Sequence, residues 1–309
     1  MNYIGVLLDA LETGMPFAIA YLGVWMVFRL QDDFDLTVGS TFTMGACLTG
    51  TWLLHGHNPW AALVISAVVA GAAGAITFAA MRLLGLSLVL ASIVVNVGLF
   101  SVNLAILGAP QANFFSAGTI FASWSRATGI HDTQYANILL GGGITAIVVA
   151  ILSFFLLTET GAALRASGMN PRMVRSVGVS PAVMLFITIV AGNALCGLAG
   201  SLVAQQQRFS DVNMGIDTII VGVTAVLLGE LVLRGRSVVL HGVIAVVIGT
   251  ILYRCLISYV LRLGVNPNYF NAITAVVVFS AVFVRKSAGV RWRFRPSIAS
   301  RLLPKGAVK

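Results

Sequence analysis

Residues 181–203 read PAVMLFITIVAGNALCGLAGSLV, a run of 23 residues without a single charged side chain. A helix needs about 20 mostly apolar residues to cross the hydrocarbon core of a bilayer. This run has that length, and its glycines and alanines are the small residues that let membrane helices pack closely. The stretch therefore predicts a transmembrane helix and decides the class of the fold.

Eight further apolar runs lie on either side of this one, and together they predict an all-α integral membrane protein with about nine transmembrane helices. The predicted spans are 9–28, 36–54, 60–80, 86–107, 135–157, 181–203, 215–232, 238–258 and 269–285. We expect a single transmembrane domain over residues 1–285, with the polar segment 158–180 at the membrane surface, and a basic tail over residues 286–309.

The composition excludes a soluble protein of this size. Hydrophobic residues make up 58% of the 309 residues and charged residues only 9%, against about 25% charged residues in a typical soluble domain. The mean hydropathy is +0.96. A chain with so few charges cannot cover its surface in water, whereas a bilayer accepts apolar side chains on the outside of helices.

The positive charges are distributed unevenly between the two sides of the predicted membrane domain. With the C-terminal tail placed inside, fifteen Lys and Arg residues lie inside and four lie outside. This bias predicts the C-terminus inside and the N-terminus outside. Eight of the fifteen are Arg285 and the seven basic residues of the tail. They predict a topology anchor rather than a nucleic-acid site, and a lipid-headgroup patch is the alternative. The others inside are Arg29, Arg82, Arg165, Arg172, Arg175, Arg234 and Arg236, and those outside are Arg126, Arg208, Arg254 and Arg262.

No motif for covalent chemistry or for a bound cofactor is present. The three lysines, Lys286, Lys305 and Lys309, do not form a phosphate-binding Gly-Lys-Ser/Thr pattern. His55 and His57 are two residues apart, a spacing that does not suit a helical metal site. The chain is therefore expected to be no enzyme and to hold no cofactor or metal of its own.

Polar residues inside the apolar spans are the candidates for a substrate pathway. Ser92, Asn96 and Asn103 follow an i, i+4, i+11 spacing that places them along one stripe of a helix, and Asn193 is a similar candidate. Polar groups facing lipid are unfavourable, so the stripe faces either a substrate pathway or another helix to which it hydrogen-bonds. Glu230 is expected to form a local ion pair with Arg234 or Arg236. Asp217 is expected to interact with the N-terminus of its helix.

The segment 158–180 reads TETGAALRASGMNPRMVRSVGVS and is too polar to span a membrane. Thr158 or Thr160 suits the N-cap of a helix that begins near Ala162. Gly168 and the Asn170-Pro171 pair interrupt that helix, because the residue before proline disfavours helical backbone. The pattern predicts two short helices joined by a turn, with apolar contacts from Leu164, Met169 and Val174 and solvated Arg165, Arg172 and Arg175. A simple connecting loop is the alternative.

This inside segment resembles the cytoplasmic coupling segment of bacterial ABC importer permeases of the ribose, nucleoside and branched-chain amino acid branch. Further similar stretches point to the subfamily associated with tryptophan and other aromatic amino acids, although Gly39 stands where that subfamily has an acidic residue. The resemblance covers roughly residues 10 to 285 and rests on residues 161–171, 177–179, 192–200, 205–207, 28–29, 35–38, 42, 45–46, 58–60, 101–104, 107–108, 228–230 and 236–237.

The resemblance implies the permease fold and function of an ATP-driven importer in the bacterial inner membrane, with a pathway for a small metabolite such as an aromatic amino acid. It implies ABC ATPase subunits that bind ATP and Mg, a second permease subunit expected to be an identical copy, and an extracytoplasmic substrate-binding protein. A stand-alone secondary carrier or channel, or a membrane scaffold without transport, are the other function classes. Residues expected to couple to the ATPase are Leu164, Arg165, Gly168, Asn170, Pro171, Arg175 and Gly178.

Overall fold

The computed structural model describes residues 3–129, 132–233, 238–264, 266 and 269–287. The described chain is almost entirely helical. Its helices are α1 (Tyr3–Trp25, continued by a π-helical turn, Met26–Leu30), α2 (Thr37–Leu54), α3 (Pro59–Leu84), α4 (Leu88–Leu107), α5 (Ile120–Thr128), α6 (Thr133–Leu157), α7 (Glu159–Met169), α8 (Pro171–Ser176), α9 (Pro181–Gln207), α10 (Thr218–Val232), α11 (Val238–Arg262) and α12 (Phe270–Ser287).

Each of the nine predicted spans coincides with one of these helices, which confirms a helical membrane protein. Six stretches of the described chain are both long and apolar enough to cross a bilayer, so the count of nine spans stays a prediction. The six are Ile4–Leu30, Pro59–Leu84, Leu88–Leu107, Thr133–Leu157, Pro181–Gln207 and Val239–Arg262. The basic tail beyond residue 287, with Arg234 and Arg236, lies outside the described residues, and the orientation of the termini stays a prediction as well.

The centre of the bundle is α9, which packs against α1, α2 and α3. Glycines allow the backbones to touch there. A Cβ built on Gly200 would lie 1.9 Å from the carbonyl oxygen of Phe42, and a Cβ on Gly45 would lie 2.0 Å from that of Gly197. These distances are far below van der Waals contact, so α2 and α9 depend on small residues for their close approach, as membrane helices commonly do.

The first helix begins at Tyr3, before the predicted start at residue 9, and its two acidic residues have hydrogen-bond partners on another helix. Asp9 Oδ1 accepts a hydrogen bond from Gln134 at 2.9 Å, and Glu12 Oε1 accepts one from Asn137 at 2.8 Å. Both donors belong to α6. The helix also continues through Pro16 without interruption.

The long connection between α4 and α6 has structure of its own, which adds a small sheet to the predicted all-α fold. Strands β1 (Gln111–Asn113) and β2 (Phe209–Asp211) pair in antiparallel register. The backbone N–H of Ile120, the first residue of α5, donates to Gln205 Oε1 at 3.1 Å. The connection is thereby fixed to the end of the central helix α9.

Candidate functional site

The segment between α6 and α9 forms two short helices joined at Asn170, as the sequence pattern predicts. Thr158 is the N-cap of α7, and its hydroxyl accepts a hydrogen bond from the backbone N–H of Gly161 at 3.3 Å. Asn170 ends α7 and caps α8, with its side chain accepting from the N–H of Met173 at 3.3 Å. Pro171 is the first residue of α8, a position where its missing N–H is not needed.

The inner face of this helix pair is fixed to the membrane domain through Gln31. Its side-chain amide donates to the carbonyl oxygen of Leu164 at 3.4 Å and to the hydroxyl of Thr188, on α9, at 3.0 Å. The Ser167 hydroxyl donates to Gln31 Oε1 at 3.4 Å. Leu164 and Val174 are also buried on this face. The α7–α8 pair is therefore attached to both α1 and α9. The sequence pattern alone did not single out Gln31.

Three predicted coupling residues contact other parts of this chain, and their role in coupling to an ATPase stays a prediction. A Cβ on Gly168 would lie 1.7 Å from the carbonyl oxygen of Leu30, so this glycine allows α7 to touch the π-helical turn of its own chain. Arg165, expected to be solvated, is half-buried and donates to the carbonyl oxygen of Leu156. Leu164 packs into the core as well, because α7 presents this face to the bundle.

The outer face of the pair presents apolar side chains among arginines. Met169, Met173 and Val177 are 72%, 53% and 69% exposed and follow one another at intervals of four residues. Arg172 and Arg175 are exposed between them, as are the predicted residues Asn170 and Gly178. We call Met169, Met173 and Val177, with Arg172 and Arg175, the outer face of α7–α8. Large exposed apolar side chains with a polar rim are typical of interaction sites.

The predicted polar stripe of α4 lies against the start of α2. The Ser40 hydroxyl donates to Asn96 Oδ1 at 2.5 Å, and the Asn103 amide donates to the carbonyl oxygen of Ser40 at 3.0 Å. Ser92 is buried and donates to the carbonyl oxygen of Val89 on its own helix. These contacts place the stripe between helices and away from lipid, which fits the interhelical hydrogen-bond alternative; its role in a substrate pathway stays a prediction.

Asn193 joins the central helix to the same region. Its oxygen accepts from the Thr41 hydroxyl at 2.8 Å, and its NH₂ group donates to Asp35 Oδ2 at 2.7 Å. The other carboxylate oxygen of Asp35 accepts from the backbone N–H of Thr37 at 2.8 Å. All four residues are buried. A buried carboxylate requires such donors, so Asn193 has a clear structural role in holding the break between α1 and α2.

Two ion pairs mark the opposite ends of α1. Glu230 pairs with Arg29 at 3.0 Å near the α7–α8 side, while Arg262 pairs with Asp9 at the other end. The sequence predicted a partner for Glu230 in Arg234 or Arg236, which lie outside the described residues. An ion pair between distant parts of the chain cannot be read from local sequence, although the single acidic residue at the end of an apolar run indicates that a partner exists.

A cavity of about 480 Å³ lies between α1, α10, α11 and α12. Arg254 and Asp217 contribute charged groups to its lining, and several aromatic residues contribute apolar surface. Asp217 is the N-cap residue of α10, at the helix N-terminus where the sequence places it, and its side chain makes no capping hydrogen bond. Arg254, counted from the sequence with the outside charges, lies within α11. The sequence pattern did not identify this cavity, although an arginine inside an apolar run was a signal for it.

Known proteins similar to this chain are transport proteins where their function is named. The tyrosine transport system permease protein of Clostridioides difficile (strain R20291) is 27% identical over 274 residues, covering 89% of this chain and 89% of that protein. An uncharacterized protein of Rickettsia prowazekii (strain Madrid E) is 26% identical, covering 89% of this chain and 95% of that protein. The galactofuranose transporter permease protein of Escherichia coli (strain K12) is 22% identical, covering 90% of this chain and 79% of that protein. No solved structure matches significantly.

The family described as the permease component of branched-chain amino acid transport systems matches residues 6–282, which is nearly the whole chain. The match includes the α7–α8 pair, the polar stripe and the cavity. The chain therefore belongs to this permease family and is a multi-pass permease component of an ABC transport system in the bacterial inner membrane.

Proposed function

We propose that this permease imports a small metabolite, with an aromatic amino acid as its substrate, and that the outer face of α7–α8 docks on a separate ABC ATPase. The single observation that carries the proposal is the two-sided construction of α7–α8. Its inner face is attached to the membrane helices, and its outer face presents exposed methionines and arginines. The chain itself performs no ATP chemistry; ATP and Mg bind to the partner.

The attachment of α7–α8 gives a physical route from ATPase to pathway. A displacement of α7 acts on the π-helical turn of α1 through the Gly168–Leu30 contact. It acts on α9 through Gln31, which bonds both α7 and Thr188. Because protein interiors are close-packed, such a displacement moves neighbouring helices rather than being absorbed locally.

The proposed topology places α7–α8 and the basic residues 286–309 in the cytoplasm, with the N-terminus outside. An extracytoplasmic binding protein then delivers substrate to the opposite surface, where the β1–β2 sheet and α5 lie. A second copy of the chain completes the pathway. The pathway candidates Asn96, Asn103 and Asn193 hydrogen-bond to residues of α2 in this structure. They line a pathway only after a conformational change has separated these helices.

The substrate class rests on the relatives. One is named for tyrosine transport and another for galactofuranose transport, and both names denote small polar metabolites. The relative named for tyrosine is the more similar of the two over this chain, which favours an amino acid with an aromatic side chain.

The test is the substitution Met173→Glu in the complete transporter, with Phe115→Glu as a matched control. Both side chains are exposed, at 53% and 65%, but Phe115 belongs to the connection between β1 and α5. We expect Met173→Glu to release the ATPase during purification and to abolish ATP-dependent uptake in membrane vesicles. Phe115→Glu should retain the ATPase. Full retention and uptake with Met173→Glu would contradict the docking proposal, and uptake without any ATPase would identify a stand-alone carrier.

A further inference from the structure

The cavity between α1, α10, α11 and α12 combines a charged, a hydroxyl-bearing and an apolar part. Its volume of about 480 Å³ is within the roughly 300–1,000 Å³ of small-molecule sites. Hydroxyl groups come from Tyr21, Tyr253 and Thr274, and the Tyr253 and Thr274 oxygens are 2.7 Å apart. The apolar wall includes Phe17, Val221, Ile257 and Leu261.

Arg254 is held in one position at this cavity. Its guanidinium carbon lies 3.8 Å from the centroid of the Phe17 ring, a cation–π arrangement. Its stem runs beside Gly14, where a Cβ would be 3.5 Å from the arginine Cγ. The Tyr21 side chain lines the same cavity. Packing against an aromatic ring and a glycine fixes the guanidinium plane, as required for recognition of a carboxylate.

The hydrogen-bonding capacity of Arg254 is incompletely used. Its Nε is buried and has no hydrogen-bond partner among the described residues. The ion pairs at the two ends of α1 involve Arg29 and Arg262 instead. A buried donor without a partner is unfavourable. A charge-assisted bond from an anionic group to the guanidinium would offset that cost.

The cavity lies within the membrane domain, on the side away from α7–α8. Arg254 is eight residues before Arg262 on α11, which corresponds to about 12 Å along a helix. Phe17 is eight residues after Asp9, the partner of Arg262, and so lies at a similar depth. Asp217, in the connection leading into α10, is exposed and supplies a carboxylate to the same cavity. An arginine at this depth marks a functional site more often than a structural one.

We propose that this cavity binds the zwitterion of an aromatic amino acid, with the α-carboxylate on Arg254, the α-ammonium group toward Asp217 and the ring along the apolar wall. The inference rests on the proposed function and names where the permease itself meets its substrate. Charge-assisted bonds to the guanidinium give orientation, while the apolar wall favours a ring over a shorter side chain.

The test measures binding to the purified full-length permease in lipid nanodiscs, with radiolabelled L-phenylalanine as the probe. Phenethylamine lacks only the carboxylate of phenylalanine, and 3-phenylpropionate lacks only the amine. Competition of each compound with L-phenylalanine therefore measures how much one of these groups contributes to binding. We expect Arg254→Gln to weaken L-phenylalanine binding about 10- to 100-fold, as for a lost charge-assisted hydrogen bond, and to leave phenethylamine binding unchanged. Asp217→Asn should weaken L-phenylalanine binding by a smaller factor and leave 3-phenylpropionate unchanged.

Arg262→Gln is the matched control, because it removes the same charge from the same helix outside the cavity, and it should bind L-phenylalanine like the wild type. Arg254→Lys, which keeps the charge but loses the planar fork, should give an intermediate affinity and covers the case in which Arg254→Gln does not fold. Equal weakening of L-phenylalanine and phenethylamine by Arg254→Gln would overturn the inference, as would the absence of saturable binding to the wild type.

A separate measurement distinguishes failure of the cavity inference from failure of the proposed function. It is ATP-dependent uptake in vesicles that contain the complete transport system. Normal aromatic amino acid uptake, together with unchanged affinity of the Arg254→Gln variant, would overturn the cavity inference and leave the importer intact. Saturable, Arg254-dependent binding without any ATP-dependent uptake would overturn the proposed function and support the cavity as a binding site.

Discussion

Replacing Gly168 by alanine should separate α7 from the membrane helices. A Cβ at this position would lie 1.7 Å from the carbonyl oxygen of Leu30, whereas ordinary contact begins at 3.4 Å. The backbones must therefore move apart by about 3.4 − 1.7 = 1.7 Å along this line. The added Cβ would clash with a backbone carbonyl, so no side-chain rotation relieves the clash.

The displacement also breaks the hydrogen bonds that tie α7 to Gln31. The bonds to the carbonyl oxygen of Leu164 and from Ser167 are both already 3.4 Å long. An intramolecular hydrogen bond contributes about 0.5–1.5 kcal/mol, so losing two destabilises this junction by about 1–3 kcal/mol. We expect ATP hydrolysis to continue at a rate close to that of the wild type, while uptake per ATP falls several-fold.

The assay compares ATP hydrolysis and substrate uptake in the same vesicles, with the melting temperature of the purified permease measured in parallel. Gly143→Ala is the control, because a Cβ at that helical position meets nothing within 4 Å and alanine favours helix. We expect Gly168→Ala to lower the melting temperature and Gly143→Ala to leave it unchanged or raise it. Wild-type stability and uptake in Gly168→Ala would refute the attachment of α7 through this contact.

Three further substitutions test the packing of the membrane domain. Asn193→Leu should lower stability by about 2–4 kcal/mol, measured by denaturant unfolding in detergent, because buried Asp35 loses its side-chain amide donor. Gly229→Ala should lower the melting temperature and separate α10 from α11, since a Cβ there lies 1.8 Å from the carbonyl oxygen of Ala245. Thr158→Ala removes the cap of α7 and should cost about 0.5–2 kcal/mol, seen as faster amide exchange in residues 159–169.

The positions of the helices follow closely from the sequence. The spans predicted at 36–54 and 135–157 correspond to helices at Thr37–Leu54 and Thr133–Leu157. Apolar runs of this length are decisive because a bilayer accepts few alternatives to a helix. The α7–α8 pair was also predictable, since its caps at Thr158 and Asn170 are local features of the chain.

The direction in which side chains point was less predictable. Gly168 was expected to face a partner but faces Leu30, which is more than 130 residues away in the sequence. The hydrogen bonds of Gln31 and the setting of Arg254 depend on equally distant contacts. Such contacts follow from how the helices pack together, and no local pattern encodes that arrangement. A lone arginine in the run 238–258 is a local signal for a functional site, but it does not show which residues surround it.

We propose that the ATPase acts on the outer face of α7–α8. A photocrosslinking residue at Met173 in the complete transporter, with the same residue at Leu139 for comparison, tests this contact. The two side chains are exposed to a similar extent, at 53% and 58%, but Leu139 lies on α6, far from α7. A crosslink to the ATPase from position 173 alone, with a yield that changes when ATP is added, is the predicted result. Equal crosslinking from both positions, or none from position 173, would show that the ATPase does not dock on this face.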